Sequence, residues 1–226
     1  MTQTDDYARL ARTDRPANPP RDLSHVWANL DALDDAPEVV LGRIDWWARS
    51  KGSSLPTLAR MGVRYRVTRH GGVHIAYAVR CAATDALEAG TVVGVKFRDL
   101  DPDAPRVKFC APGTRLKYPA LPSLYGCQAP RRVFVCEGES DAAWLLGRCD
   151  EGGAVFCLHG GAALFAAEWL ELVLASADVL VATDNDWDRK QGNIGEKLAQ
   201  RILRSLPHAR RLRPPFPARD WCEVSS

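Results

Sequence analysis

Acidic side chains follow two apolar runs of this sequence, and their types and spacing suit metal chemistry. Glu137 comes directly after RVFVC, and Asp141 follows it in EGESD. Asp184 comes after DVLVAT, and Asp186 and Asp188 follow at alternate positions. If both runs are strands of one parallel sheet, their carboxyl ends meet at the edge where such sheets bind ligands. Hard carboxylate oxygens suit Mg²⁺, or Mn²⁺ in its place, so the sequence predicts a metal site at this edge.

These acidic residues have other interpretations. Carboxylates at helix starts often act as caps, and Ser140 with Asp141 fits that role. The alternating aspartates also match positions one, three and five of an EF-hand loop. Position six of that loop requires Gly but holds Arg189, and position twelve requires Glu but holds Gly195, so an EF-hand is excluded. A P-loop is excluded too, because the G-x-x-x-x-G-K-[ST] spacing is absent.

Strands followed by helices must position these carboxylates. Between residues 132 and 215 the patterns predict strands in RVFVCEG, GAVFCLHGG, DVLVATD and ARRLRPP, and helices in SDAAWLLGRC, AALFAAEWLELVLAS and IGEKLAQRILRSL. Strands that alternate with helices favour a mainly parallel sheet flanked by helices. We therefore predict an α/β domain over residues 128–226.

The preceding segment has a different pattern. Helical spacing predicts helices in DLSHVWANLDALDD, EVVLGRIDWWARSKG and SLPTLARMG, with Ser54 as the N-cap of the third. Period-two alternation predicts strands in VRYRVTR, VHIAYAVRC, TVVGVKFRDL and RVKFCAPG. The prediction is a small α+β domain with an antiparallel sheet over residues 23–127, preceded by a flexible tail at residues 1–22.

Composition indicates a soluble chain with a real core. The 226 residues are 46% hydrophobic, and they contain neither a secretory signal nor an apolar run long enough to span a membrane. The seven cysteines include no CxxC pair, which argues against a zinc ribbon and fits reduced structural thiols. We expect a cytoplasmic protein, in the host cytoplasm if a phage encodes it. The net charge is only +2, but arginines and lysines cluster in ways that favour a phosphate-bearing partner, although a solvated surface explains any single cluster as well.

The carboxylate motifs, in this order and context, resemble the Toprim domain of bacterial-type primases, topoisomerases and some nucleases. The pattern E-G-x-x-D is matched by Glu137, Gly138 and Asp141, and the later D-x-D by Asp184 and Asp186. VFCLHGGAA matches the strand and glycine turn that the family has between them. The helix-opening Gly that should follow D-x-D is delayed to position 192 or 195, which implies an inserted WDRKQGN loop. PARDWCEV is similar to the closing segment of the family, with the aspartate at position 220 in the acidic place.

The upstream half resembles the basic, strand-rich domain that precedes Toprim in primases. Gly94 and Arg98 match a Gly-x-x-x-Arg strand, Lys108 and Phe109 match a Lys-aromatic pair, and LYG at 124–126 matches the closing motif. IDWWARSKGSSLPTLARMGVRYRV is similar to the helical lead-in of phage and plasmid primases. The resemblance covers about residues 40–226 and implies a minimal primer-synthesising core without the zinc-binding and helicase regions.

The resemblance implies roles for individual residues. Glu137, Asp184 and Asp186 are expected to be the catalytic metal ligands, with Glu137 as a ligand or as the general base for the attacking hydroxyl. Asp141 is expected to orient the site, and so is Asp188, for which a role as a third ligand stays open. The cations expected to hold template or nucleotide are Lys96, Arg98 and Lys108. Aromatics that could stack on bases or simply pack in the sheet are Tyr65, Tyr77, Phe97 and Phe109.

The function expected from these features is metal-dependent synthesis of short RNA primers on single-stranded DNA, in phage or plasmid-type replication. The implied partners are the single-stranded template, NTPs and a separate replicative helicase, with no membrane. Two alternatives remain open. One is a Toprim nuclease that uses the same carboxylates for phosphodiester cleavage, and the other is a non-catalytic module that binds single strands or a helicase.

Overall fold

The structure is a computed structural model of the chain, and it describes residues 20–101, 103–104, 107–116, 120–160, 178–187 and 192–224. The chain divides into two compact units, residues 1–121 and 122–226. Within the described residues, no helix combines the length and the apolar character that crossing a bilayer requires. All seven cysteines are described, and all are free thiols.

The first unit is built on a five-stranded antiparallel sheet in the order β1-β2-β3-β4-β5. Its strands are β1 (Asp31–Ala32), β2 (Arg64–Val67), β3 (Val73–Arg80), β4 (Val92–Asp99) and β5 (Lys108–Cys110). The predicted period-two strands are therefore present. Alternate side chains of β3 and β4, such as Ala76 and Val95, pack in a buried cluster with Leu23 and Leu30.

Among the described residues of this unit, three helices accompany the sheet: α1 (Ser24–Ala28), α2 (Glu38–Ser50) and α3 (Leu55–Arg60). In α3 the Ser54 side chain accepts a hydrogen bond from the Thr57 amide, as the cap pattern predicts. The first predicted helix, over residues 22–35, is wrong in its second half. There the chain forms β1 and a 3-10 turn at Leu33–Asp35, because Asp31 and Ala32 pair with β2.

The second unit contains a five-stranded mixed sheet in the order β10-β9-β7-β8-β6. Its strands are β6 (Ser123–Gly126), β7 (Arg132–Cys136), β8 (Gly153–Cys157), β9 (Asp178–Val181) and β10 (Arg210–Arg211). Four strands run parallel, and the edge strand β6 pairs antiparallel with β8. The antiparallel sheet of the first unit and this mostly parallel sheet together confirm the predicted mixed α/β class.

Two helices of this unit are described, α4 (Glu139–Leu146) and α5 (Ile194–Ser205). Leu198 and Ile202 of α5 are fully buried against Val133, Val179 and Val181 of the sheet. Burial of such side chains stabilises the fold by roughly 1.5–3 kcal/mol each. This packing fixes the amino end of α5 next to the carboxyl end of β9.

The division between the units falls before the expected boundary at residue 128. LYG at 124–126, assigned from the sequence to the upstream domain, lies in β6 and pairs with β8 of the second sheet. The tail at residues 1–19, the predicted helix at 162–176 and Asp188 lie outside the described residues.

Candidate metal site

Glu137 and Asp184 are brought together by neighbouring parallel strands. Residues 132–135 of β7 pair in register with residues 178–181 of β9, so the two strands end side by side. Glu137 directly follows β7, and Asp184 lies three residues beyond β9. The Asp184 amide donates a hydrogen bond of 3.3 Å to Oε1 of Glu137. The sheet register therefore places the two predicted ligands in contact.

Asp186 is held by the start of the next helix. Asn193 is the N-cap of α5, and its side-chain oxygen accepts from the Glu196 amide at 2.9 Å and from the Asp186 amide at 3.1 Å. The Asn193 amide group also donates to Oδ1 of Asn185 at 2.8 Å. Asp186 is 3% exposed. One asparagine therefore caps the helix and fixes the turn that carries both aspartates.

Glycine is required where α5 meets this turn. Gly195 lies so close to Asp184 that an added Cβ would overlap the Asp184 carbonyl oxygen, while Thr183 Oγ1 donates to the Gly195 carbonyl at 2.8 Å. Gly192, the other candidate for the helix-opening glycine, has a φ of +79°. The close contact at position 195 therefore explains why the helix start needs a glycine there.

Asp141 of α4 lies next to the 3-10 turn at Trp221–Glu223, which Asp220 caps. Oδ1 of Asp141 accepts from the Trp221 amide at 3.2 Å and lies 3.7 Å from the Cys222 Sγ. Ligand atoms of Asp141, Asp220 and Cys222 lie within 4.8 Å of one another. Trp221 is anchored by its indole N–H, which donates to the Ala182 carbonyl at 2.7 Å. Asp141 therefore orients the closing turn as well as contributing charge.

We call Glu137, Asp141, Asp184, Asp186 and Asp220 the carboxylate cluster. Burial, and then the charges of Asp141, Glu137, Asp220 and Asp186 in that order, raise the pKa of Asp184 to about 8. Its Oδ1 is buried and accepts no hydrogen bond from the described residues. Buried carboxylates that repel one another favour a cation between them, and an all-oxygen set suits Mg²⁺. Within this cluster, Asp141 and Asp220 lie close enough together to be candidate metal ligands. Glu137, Asp184 and Asp186 stay predicted ligands.

A buried arginine supports the same strand end. The Arg211 guanidinium donates to the carbonyls of Val181 at 2.8 Å and Asp184 at 3.1 Å, and to Glu196 at 3.2 Å. Its side chain is 8% exposed. Arg213 binds the same glutamate from the surface at 2.8 Å. Arg211 therefore holds the backbone of Asp184 in place. The clustering of arginines in the sequence did not predict this role.

A second buried network lies beside the cluster. His159 Nε2 is 2.7 Å from Ser123 Oγ, and its Nδ1 is 3.0 Å from Oε1 of Glu139. His159 has a φ of 57°, which is uncommon for a residue with a Cβ. The next amide, of Gly160, donates to the Glu137 carbonyl at 3.2 Å. The network therefore positions the turn after β8 against the backbone of Glu137.

The predicted cations lie in the first unit. Lys96 and Arg98 point to the same face of β4, and Lys108 of β5 is the cross-strand partner of Arg98. Arg98 lies 5.7 Å from the ring of Trp47. The three cations thus share one face of the antiparallel sheet. Of the candidate stacking aromatics, Tyr65, Tyr77 and Phe97 are each 4% exposed, which favours packing, and Phe97 stacks on Phe109 at 5.1 Å.

Solved structures with the same fold are found among primases. No protein-family model matches the sequence, and no curated protein matches it. A DnaG primase catalytic domain bound to single-stranded DNA is 15% identical over 98% of this chain and 74% of its own, with a TM-score of 0.55. The RNA polymerase domain of Mycobacterium tuberculosis DnaG is 14% identical over 89% of this chain and 76% of its own, with a TM-score of 0.54.

A third similar structure comes from a phage. It is a bacteriophage T7 assembly of lagging-strand DNA polymerase with primase domains bound to an RNA/DNA hybrid and dTTP. The match is 18% identical over 76% of this chain and 80% of that chain, with a TM-score of 0.51. These neighbours confirm, at the level of the fold, the resemblance that the motifs indicated. The chain therefore has the fold of the catalytic cores of bacterial and phage DnaG-type primases.

Proposed function

We propose that this protein is a primase-like nucleotidyltransferase that makes short RNA primers on single-stranded DNA in phage or plasmid-type replication. The observation that carries the proposal is the carboxylate cluster, in which Asp184 has a buried oxygen that accepts no hydrogen bond from the described residues and a pKa of about 8. Such a cluster is costly to fold, and a divalent cation would compensate for it. The cluster lies in a chain with the fold of a primase catalytic core, and this supports primer synthesis as the reaction that it would serve.

In the proposed reaction, a 3′-hydroxyl oxygen attacks the α-phosphorus of an incoming NTP, a new phosphodiester bond forms and pyrophosphate leaves. Asp184, Asp186 and Glu137 would hold Mg²⁺ or Mn²⁺. The metal, when bound, neutralises phosphate charge and stabilises the attacking and leaving oxygens. Glu137, which accepts a hydrogen bond from the Asp184 amide, would act either as a further ligand or instead as the acceptor of the hydroxyl proton.

Neighbouring residues would keep this geometry. Asp141 orients the closing turn through the Trp221 amide, and Arg211 fixes the Asp184 carbonyl. Asp188 is proposed to orient the same site. Lys96, Arg98 and Lys108 would bind the template backbone or the triphosphate, because cations on one sheet face attract phosphates. A separate replicative helicase is the further partner that we propose.

The test is incorporation of labelled NTPs on single-stranded DNA, with and without Mg²⁺ or Mn²⁺, for wild type and the double variant Asp184→Ala with Asp186→Ala. Asp178→Ala is the matched control, because Asp178 begins β9 and forms surface ion pairs with Arg132 and Arg210. We expect short, metal-dependent RNA from wild type and control, and none from the double variant.

Equal synthesis by the double variant would show that the assigned carboxylates are not the metal site. Degradation of DNA or RNA without NTPs would identify a nuclease instead. Salt-sensitive binding of single strands without any metal-dependent product would identify a binding module.

A further inference from the structure

Two exposed aromatic rings lie in contact, and one of them directly follows Asp186 of the carboxylate cluster in the chain. Trp187 is 50% exposed and Phe216 is 79% exposed. Their ring centroids are 5.4 Å apart with an interplanar angle of 45°. We call these two residues the aromatic pair. Most exposed apolar side chains stand singly, whereas these two are 29 positions apart in sequence and meet through the fold.

Backbone hydrogen bonds connect both rings to the turn that carries Asp184 and Asp186. Trp187 directly follows Asp186, and its amide donates to the Asn185 carbonyl at 2.7 Å. The Asn185 amide in turn donates to the Arg219 carbonyl at 2.6 Å, which binds the segment that carries Phe216. The same turn that holds Asp184 and Asp186 therefore also holds the aromatic pair.

Two arginines flank Phe216 on the same segment. Arg213 and Arg219 lie three residues before and after Phe216. They are held by ion pairs of 2.8 Å with Glu196 and Glu223, and their side chains stay 56% and 51% exposed. Exposed aromatic rings on segments that also carry cations are the combination that binds single-stranded nucleic acid.

We propose that Trp187 and Phe216 form a stacking surface for a nucleobase whose phosphates would be held by the divalent cation of the carboxylate cluster. The base belongs either to the incoming nucleotide or to the single strand, and both sources share this chemistry. Stacking is tolerant of sequence because every base has a π face. The inference rests on the proposed function, because it names the part of the substrate that the site contacts beside the metal.

The test compares wild type with Trp187→Ala, Trp187→Phe and Phe216→Ala. Trp46→Ala is the matched control, because Trp46 is 58% exposed and lies on α2 of the other unit. Equilibrium binding with Mg²⁺ is measured for an NTP, for a single-stranded oligonucleotide, for the same oligonucleotide with abasic positions, and for inorganic tripolyphosphate. Circular dichroism verifies that each variant is folded.

We expect Trp187→Ala to weaken binding of the NTP or of the oligonucleotide by roughly 5- to 100-fold, as removal of a stacking ring does. Trp187→Phe should retain most of the affinity, Phe216→Ala should lose part of it, and Trp46→Ala should match wild type. Tripolyphosphate and abasic strand should bind wild type and Trp187→Ala equally. If Trp187→Ala weakens binding of the NTP, the base belongs to the incoming nucleotide. If it weakens binding of the oligonucleotide, the base belongs to the single strand.

Equal binding of NTP and oligonucleotide by wild type and Trp187→Ala would overturn the inference, leave the proposed function standing and assign the pair to a protein contact. Equal weakening of tripolyphosphate would also overturn it, because the defect would then lie in the metal site. If wild type binds neither nucleotide nor oligonucleotide, both the inference and the proposed function fail.

Discussion

Gly195 lies directly against Asp184. A Cβ at position 195 would overlap the carbonyl oxygen of Asp184 and would lie 3.0 Å from its Cα. This approach is possible because α5 begins at Ile194, immediately after the Asn193 cap that also binds the Asp186 amide. One close backbone contact therefore couples the packing of a helix to the position of two candidate metal ligands.

Gly195→Ala is expected to destabilise the second unit and to weaken metal binding. The methyl group meets backbone, which can move only if α5 or the Asp184 turn shifts, and overpacking of this kind costs roughly 1–3 kcal/mol. Thermal unfolding and Mn²⁺ titration measure the two effects. Gly42→Ala is the control, because nothing lies within 4 Å of its Cβ position in α2, so it should stabilise by about 0.5–1 kcal/mol. Loss of stability in both variants would show that the crowding at position 195 is not the cause.

Asp184→Asn is expected to change how stability depends on pH. The pKa of Asp184 is raised from 3.8 to about 8, so the folded protein keeps a proton that the unfolded chain loses. Ionisation of Asp184 therefore lowers the free energy of unfolding. This loss of stability is absent below about pH 4, grows as the pH rises from 4 to 8, and is complete above about pH 8. The asparagine cannot ionise, so the variant should exceed wild type in stability by about 2–5 kcal/mol above pH 8 and match it near pH 4.

Unfolding curves from pH 4 to 9, with and without Mg²⁺, measure this difference. Added Mg²⁺ should raise the melting temperature of wild type above neutral pH, because it binds the folded state, and should have little effect on the variant. A constant stability difference at all pH values would contradict the assignment of a raised pKa to Asp184.

Arg211→Ala is expected to lower the free energy of unfolding by about 3 kcal/mol, because it leaves the Asp184 and Val181 carbonyls and Glu196 without a buried cation. Metal affinity should fall with it. Arg213→Ala removes the exposed partner of the same glutamate and should cost less than about 1 kcal/mol. Denaturant titration separates the two, and equal costs would mean that burial of Arg211 contributes nothing.

Lys108→Ala is expected to weaken binding of single-stranded DNA and to reduce the slope of log affinity against log salt by about 0.7, the value for one phosphate contact on a single strand. Anisotropy of a labelled oligonucleotide at several salt concentrations measures the slope. Arg49→Ala is the control, because Arg49 is 77% exposed and already pairs with Asp45 at 2.7 Å. If both variants keep the wild-type slope, the basic face of β4 and β5 does not bind the strand.

The sequence alone predicted most of the elements, because their signals are local. Alternation of apolar residues indicated β3 and β4, and Ser54 indicated the start of α3, since each depends on neighbours in the chain. The helix predicted over residues 22–35 was wrong in its second half, because pairing of Asp31 with Tyr65 depends on a strand over thirty residues away. The pairing of β6 with β8 likewise depends on a strand that is distant in the chain, and local patterns do not predict it.

At the candidate site, the sequence alone predicted which carboxylates to consider as ligands and that they follow two strands. Short motifs with Glu137, Asp184 and Asp186 suffice for that, because strand ends are readable from apolar runs. Only the tertiary structure decided what surrounds them. Arg211 and Phe216 reach the site from distant positions in the chain, and the contact of Gly195 with Asp184 depends on a backbone distance that a linear pattern does not carry. Hydrogen bonding and burial act through space, so the support of a site becomes visible only when the chain is folded.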